Sequence, residues 1–259
     1  MSRVIVAQPD EPQAAAPRGA VALMGPEEKR PFIQRLFTRI APRYDWFNRL
    51  ASCGLDGRWR HQAVERGGIA PGMRVLDVCA GTGDLALACA ERQRGDGTVI
   101  GLDMTWAMLV RAQEKQRAQR LLVGWLQGDA ESLPFRDGGF DRVLIGFSTR
   151  NLSHLTVGLR ELVRVLKPQG QLVILETGYP ANPLVRAGYQ VFLFTVARAI
   201  GFALTGRLWP FTYLARSVRQ FLTPQQFIER LESLETVPVY VPLSGGLASL
   251  YLATKRSAS

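Results

Sequence analysis

Between residues 73 and 176 the chain repeats one unit: a short β-type run, a turn, then apolar residues at helical spacing. The runs are 73–78, 98–103 (TVIGLD), 121–129 (LLVGWLQGD), 141–147 (DRVLIGF) and 171–176 (QLVILE). Helical patterns follow the first run as far as about Gln93, then over 106–119 with Thr105 as candidate N-cap, and over 156–166. Strands alternating with helices of about 10–15 residues dictate βαβ units, and such units close only as a mostly parallel sheet covered on both faces. The expected fold class is therefore α/β, doubly wound.

The flanks differ from this core. Phe32, Leu36, Phe37 and Ile40 recur at helical spacing, and Trp46, Phe47 and Leu50 continue the pattern, so 31–68 reads as a helical cover. Residues 1–30, rich in Pro and Ala without a long apolar core, read as a disordered tail with no secretory signal. A single domain over 31–259 follows, with a helical insertion at 183–222 before two final strands, VPVYVPL and LASLYLATK. The apolar segment 184–211 is interrupted by Arg186, Arg198 and Arg207, so no uncharged run approaches the roughly 20 residues of a membrane span. It reads as a buried helical pair or as a surface helix that meets lipid.

The turn after the first run, in RVLDVCAGTGDLALACA, formally satisfies the G-x-G-x-x-[GA] pattern of nicotinamide sites, with Asp103 about 20 residues on. A diphosphate wants amide N–H groups and no negative charge. Here Asp77 precedes the turn, Asp84 opens the helix and Asp129 follows the third run. Carboxylates at successive strand ends suit a ligand with a ribose, no phosphate, and cationic ammonium and sulfonium groups, which is S-adenosylmethionine. Asp77 and the amides of Gly81, Thr82 and Gly83 would take its amino-acid end, Asp103 its ribose hydroxyls, and Asp129 with Ala130 its adenine. The competing reading makes Asp77 and Asp84 ordinary turn and capping acids. Cys53, Cys79 and Cys89 are odd in number and form no C-x-x-C pair, which argues for a reducing compartment and against disulfide or zinc frameworks.

Several further stretches together resemble the menaquinone/ubiquinone biosynthesis C-methyltransferases, over most of 33–254. They are FTRIAPRYDWFN, VLDVCAGTGDLA, DAESLPFRDGGFD, RNL after GFST, and RVLKPQGQLVILE. The resemblance implies a seven-stranded class I S-adenosylmethionine methyltransferase fold and a cofactor site extended to Met104 and Phe147. It also implies C-methylation of a prenylated quinol, demethylmenaquinol to menaquinol, by a cytoplasmic enzyme peripheral on the inner face of the membrane. The chain departs from the family at Gly146, Ser148, His154 and Thr177. The alternatives are methylation of another hydrophobic acceptor, or a quinone-binding accessory protein without turnover.

Within that resemblance Arg150, at the end of the fourth strand, is assigned to stabilising the quinol oxyanion, since a guanidinium is not deprotonated in proteins. Its competing reading is a capping or salt-bridge residue. Tyr44 reads as cover over the cofactor or as a core aromatic. His154 suits base work by its chemistry, but also reads as an ordinary surface histidine before a helix. Lys+Arg 32 against Asp+Glu 22 favours an anionic partner. The basic residues alternate with apolar ones rather than with exposed aromatics, which favours an anionic membrane surface over nucleic acid. A homodimer is left open, and no metal is expected.

Overall fold

The computed structural model describes residues 25–257. Five strands, β1 (Arg74–Val78), β2 (Thr98–Asp103), β3 (Gly124–Gln127), β4 (Phe140–Gly146) and β5 (Leu166–Thr177), run parallel. A seventh strand, β7 (Ala248–Lys255), lies antiparallel between β5 and β6 (Thr236–Leu243), and the sheet order is β3-β2-β1-β4-β5-β7-β6. The expected doubly wound, mostly parallel sheet is thus the observed one.

Parallel strands covered on both faces need apolar residues at successive positions. In β1, Val75 joins an apolar cluster on one face with Trp59, Val64, Leu85 and Val173, while Leu76 and Val78 join Phe140, Leu159, Leu162 and Phe227 on the other. Each fully buried side chain of this kind contributes about 1.5–3 kcal/mol relative to exposure. The helices α3 (Leu55–Arg66) and α4 (Asp84–Gln93) cover the first face, and α6 (Leu155–Arg164) and α10 (Pro224–Glu232) the second. Thr223 and Gln226 close a reciprocal capping box on α10.

A third layer joins both flanks of the chain. Phe32, Leu36 and Phe47, from α1 (Pro26–Ile40) and α2 (Tyr44–Ala51), pack with Phe211 and Tyr213 of α9 (Trp209–Gln220) and with Met108 of α5 (Trp106–Gln119). This layer closes over the C-terminal end of the sheet, where ligands of open α/β folds bind.

Two expectations need correction. The expected tail ends too late: helix α1 begins at Pro26, and Pro31 lies inside it. Proline preference favours a start at residue 31, but tertiary contacts hold the preceding turn helical. Arg30 pairs with Asp129 at 2.6 Å, and Lys29 Nζ donates to the carbonyls of Leu152 (2.6 Å) and Arg150 (3.1 Å). The rest of that expectation, residues 1–24, falls outside the described residues. The second correction concerns α7 (Pro183–Phe194) and α8 (Val196–Thr205). Together they span 23 residues that include an 18-residue stretch of mean hydropathy 1.4, long and apolar enough to cross a membrane by length and composition, despite Arg186 and Arg198. Leu193 and Ala197 are buried against Ala215 of α9, so the pair rests on the domain by one side and leaves most of its surface outward.

Candidate active site

Two adjoining cavities open at the C-terminal end of the sheet. The first is bordered by Asp77, the glycine turn, Asp103 and Asp129; the second, of about 440 Å³, is bordered mainly by apolar side chains of α1, α2, α7 and α9. Phe37, Tyr44, Arg60, Phe147 and Asn151 border both and so mark the passage between them.

Chain direction explains the first cavity. Strand β1 delivers Asp77 to the sheet's end, where its Oδ2 accepts the Ala86 N–H at 3.0 Å. Burial, with the charge of Asp103 adding to it against that N–H, pushes the Asp77 carboxyl up to about 8. Strand β2 ends on Asp103, whose Oδ2 accepts the Gly81 N–H (2.9 Å) and whose Oδ1 accepts the Thr105 N–H (2.7 Å). Burial raises its pKa against those two amides. Each oxygen keeps lone-pair capacity, which is what two vicinal hydroxyls require. Thr105 therefore caps nothing with its side chain; its backbone serves Asp103 instead.

Gly81, Thr82, Met104, Asp129, Ala130 and Phe147 also border this cavity. Gly83 does not. Its φ is +86°, and a Cβ there would lie 2.6 Å from the Trp125 ring, so glycine is required for α4 to start against that tryptophan. The departures Gly146 and Ser148 border the cavity too, and the Ser148 hydroxyl donates to the Gly146 carbonyl at 3.0 Å. Phe147 holds the left-handed conformation (φ +54°), rare for an aromatic, with its N–H bonded to the Leu175 carbonyl at 2.6 Å.

The donor set fits S-adenosylmethionine. Five acids border the first cavity (Asp77, Asp84, Asp103, Asp129 and Glu131) against two arginines, Arg30 and Arg60. That balance would repel a diphosphate and accepts a cation beside a ribose.

In the second cavity Arg150 sits on the single turn 149–151 that follows β4. Its Nη1 donates to Glu176 at the end of β5, and the two side chains are 8% and 1% exposed. Glu176 is further held by Thr149 Oγ1 (2.5 Å) and the Thr177 N–H (2.8 Å). The salt-bridge reading of Arg150 is thus correct, yet it does not use the whole guanidinium: Nε is buried with no partner. Tyr44 sits in the passage, its hydroxyl pushed up by burial against the opposing charges of Arg60 and Arg150 and a hydrogen bond with Asn48. Burial likewise pushes Tyr189 and Tyr213 up to about 12. Tyr213 donates to Asn151 Oδ1 at 3.1 Å.

His154 borders neither cavity; it is half exposed, with Nδ1 3.0 Å from Glu131 Oε2. The structure gives no support to its expected base role. Sequence reasoning missed Arg30, Arg60, Asn151 and Glu176. It also missed a polar knot joining cover to loop: Thr82 Oγ1 donates to Asp45 Oδ1 at 2.5 Å, and Lys115 donates to Asp45, Thr82 and Asp84.

The model of the ubiE/COQ5 methyltransferase family matches residues 24–255. A demethylmenaquinone methyltransferase of Deinococcus radiodurans is 36% identical over 230 residues, covering 89% of this chain and 95% of the relative. A ubiquinone/menaquinone biosynthesis C-methyltransferase UbiE of Geotalea uraniireducens is 36% identical over 231 residues, covering 88% and 98%. Among solved structures, a SAM dependent methyltransferase from Aquifex aeolicus superposes with TM-score 0.57 at 20% identity, covering 75% of this chain and 88% of that one. The last likeness is one of fold.

Proposed function

The chain belongs to the ubiE/COQ5 methyltransferase family, and from that premise we propose that it C-methylates a prenylated quinol ring, most simply demethylmenaquinol to menaquinol. It is an S-adenosylmethionine-dependent methyltransferase. The observation that carries the acceptor is the Arg150 guanidinium, anchored by Glu176 and bordering an apolar cavity of about 440 Å³. A guanidinium at the wall of an apolar cavity suits a ring oxygen carried on a hydrocarbon body. Profiling the quinones of a strain lacking the gene tests this: the demethylated quinone is expected to accumulate, and an unchanged profile contradicts it.

S-adenosylmethionine, when bound, supplies a methyl group on a sulfonium centre. Asp77 and the Gly81–Thr82 turn hold its amino-acid end, Asp103 its ribose, and Asp129 with Ala130 its adenine, beside Met104 and Phe147. Tyr44 and Phe147 frame the passage and keep the ring close to it. As the ring hydroxyl ionises, the Arg150 guanidinium stabilises the developing oxyanion, while Glu176 holds it in place. The hydroxyl proton leaves to water. Once the ring carbon holds the methyl group, its hydrogen is lost as a proton and the ring oxygen regains one. One proton is thus released in all, and the thioether S-adenosylhomocysteine departs. Alignment in a dry apolar site supplies much of the rate.

Asp77 gives this reading a pH signature. A cation beside it favours the ionised carboxylate, so binding below about pH 8 expels a proton. Affinity is therefore expected to rise with pH, approaching about tenfold per unit on the acid side, and to level off above pH 8. Titration calorimetry in two buffers of different ionisation enthalpy measures the proton. No release at pH 7 would put the ligand's cation elsewhere.

The prenyl tail needs a route to lipid, and α7–α8 offer one. Leu184 is 83% exposed, and Val185, Val191, Val196, Phe202 and Leu208 are exposed as well. Residues 181–259 hold eight Lys/Arg against three Glu. Packing against α9 makes these helices lie on a bilayer rather than cross it, with cations against anionic headgroups at about 1 kcal/mol each. In liposome flotation, binding is expected to rise with anionic lipid, weaken with salt and drop in an Arg207→Gln/Phe202→Gln variant. A protein that stays in solution under all compositions would leave the tail to another carrier.

A further inference from the structure

Arg60 is unexplained by the assignments above. It stands on α3, borders both cavities, and its side chain is 11% exposed. Nη1 pairs with Asp56 one turn earlier at 2.5 Å, and the guanidinium lies over the Phe147 ring, 5.6 Å from its centroid. Nη2 stands 3.9 Å from Asp84, beyond hydrogen-bond distance, so one edge of the fork is held in place without being used. Burial works against its charge, but Asp84 and Asp56 more than offset that and raise its pKa.

The charges around the first cavity say what that edge is for. Among the described residues bordering it, the only cations are Arg30 and Arg60. Arg30 is engaged by Asp129, at the end given to adenine. Lys115 stands near the loop but does not border the cavity, and Asp45, Thr82 and Asp84 occupy its ammonium. At the opposite end, beside Asp77 and Asp84, Arg60 is therefore the single bordering cation. The amino-acid end of S-adenosylmethionine carries an ammonium and a carboxylate. Asp77 suits the first, but the second would meet two acids unless a guanidinium stood between them.

We propose that Arg60 seats the α-carboxylate of S-adenosylmethionine, with Asp56 holding its guanidinium in position. This rests on the cofactor reading above. Planar fork against planar carboxylate gives two parallel hydrogen bonds, which makes arginine more selective here than lysine. The competing occupant is a ring oxygen of the acceptor, since Arg60 also borders the larger cavity.

Calorimetric titration with S-adenosylmethionine and with its decarboxylated analogue, which lacks only that carboxylate, decides the matter. The wild-type protein is expected to prefer S-adenosylmethionine by roughly tenfold or more. Arg60→Gln is expected to abolish or invert that preference, while binding the decarboxylated, dicationic compound at least as well as wild type does. That retained binding shows the variant to be folded, and Arg60→Lys is expected to keep part of the preference. A wild-type ratio near one overturns the proposal without any variant, as does an Arg60→Gln protein that keeps the wild-type ratio and loses only turnover. A wild-type protein that binds neither compound overturns the cofactor reading itself.

Discussion

In an Arg150→Lys variant, turnover is expected to fall by roughly 10²–10³-fold, while S-adenosylmethionine affinity changes by less than about threefold. The asymmetry follows from where the guanidinium sits. One nitrogen is committed to Glu176, while the residue borders the acceptor cavity and its Nε is buried without a partner. A lysine ammonium can satisfy the buried carboxylate or a ring oxygen, but it lacks the fork that reaches both. Lysine is also the cleaner test. An apolar residue would leave Glu176 charged, buried and unpaired, at a cost of about 3–5 kcal/mol, and lost folding would imitate lost catalysis. Steady-state and single-turnover measurements with reduced acceptor separate the two parameters. Unchanged turnover would reduce Arg150 to the structural partner of Glu176.

Asp103→Ala is expected to cost roughly ten- to a hundredfold in S-adenosylmethionine affinity, the worth of charge-assisted hydrogen bonds. Part of that loss is indirect, because the same carboxylate tethers the Gly81 and Thr105 amides and so shapes the glycine turn. Asp103→Asn separates the contributions. The amide group keeps one acceptor oxygen but turns N–H hydrogens toward one of the two backbone donors, so it is expected to lose affinity through the turn as well as through the ribose. Calorimetry with S-adenosylhomocysteine checks both variants in the absence of turnover. Unaltered affinity in Asp103→Ala would mean that the ribose is read elsewhere.

The stretch from β1 to α5 was legible in the sequence because its physics is local. A strand covered on both faces must be a continuous apolar run, a glycine turn marks the entry to α4, and a ligand at strand ends selects the residues there. That logic led to Asp77, Asp103 and Asp129, all of which border one cavity. It overreached at Gly83, where glycine in a phosphate-type pattern serves packing against Trp125. At His154 the chemistry of a side chain was read without its neighbour: Glu131 comes from a different segment, and only tertiary structure pairs them.

What stayed hidden was set by contacts distant in sequence. Arg60 lies in LDGRWRHQAVER, where several arginines and a histidine compete and no periodicity singles one out. Glu176 is the last acid of an apolar strand, and its partnership with Arg150 depends on β4 and β5 lying side by side. Lys29 and Arg30 read as part of a tail because the apolar helical spacing begins only at Phe32. Their partners, the carbonyls of the Arg150 turn and Asp129, are about a hundred residues away.

The central claim is that this protein places a methyl group on a ring carbon of a prenylated quinol. It is tested most directly by incubating purified protein with trideuteromethyl S-adenosylmethionine and chemically reduced demethylmenaquinone in detergent or liposomes, then fragmenting the extracted quinone by mass spectrometry. The expected product carries the label on a ring carbon, forms only with the reduced acceptor, and fails to form with Arg150→Lys on the same timescale. Label on oxygen, or no transfer by a protein that binds S-adenosylmethionine in the same preparation, would contradict the account.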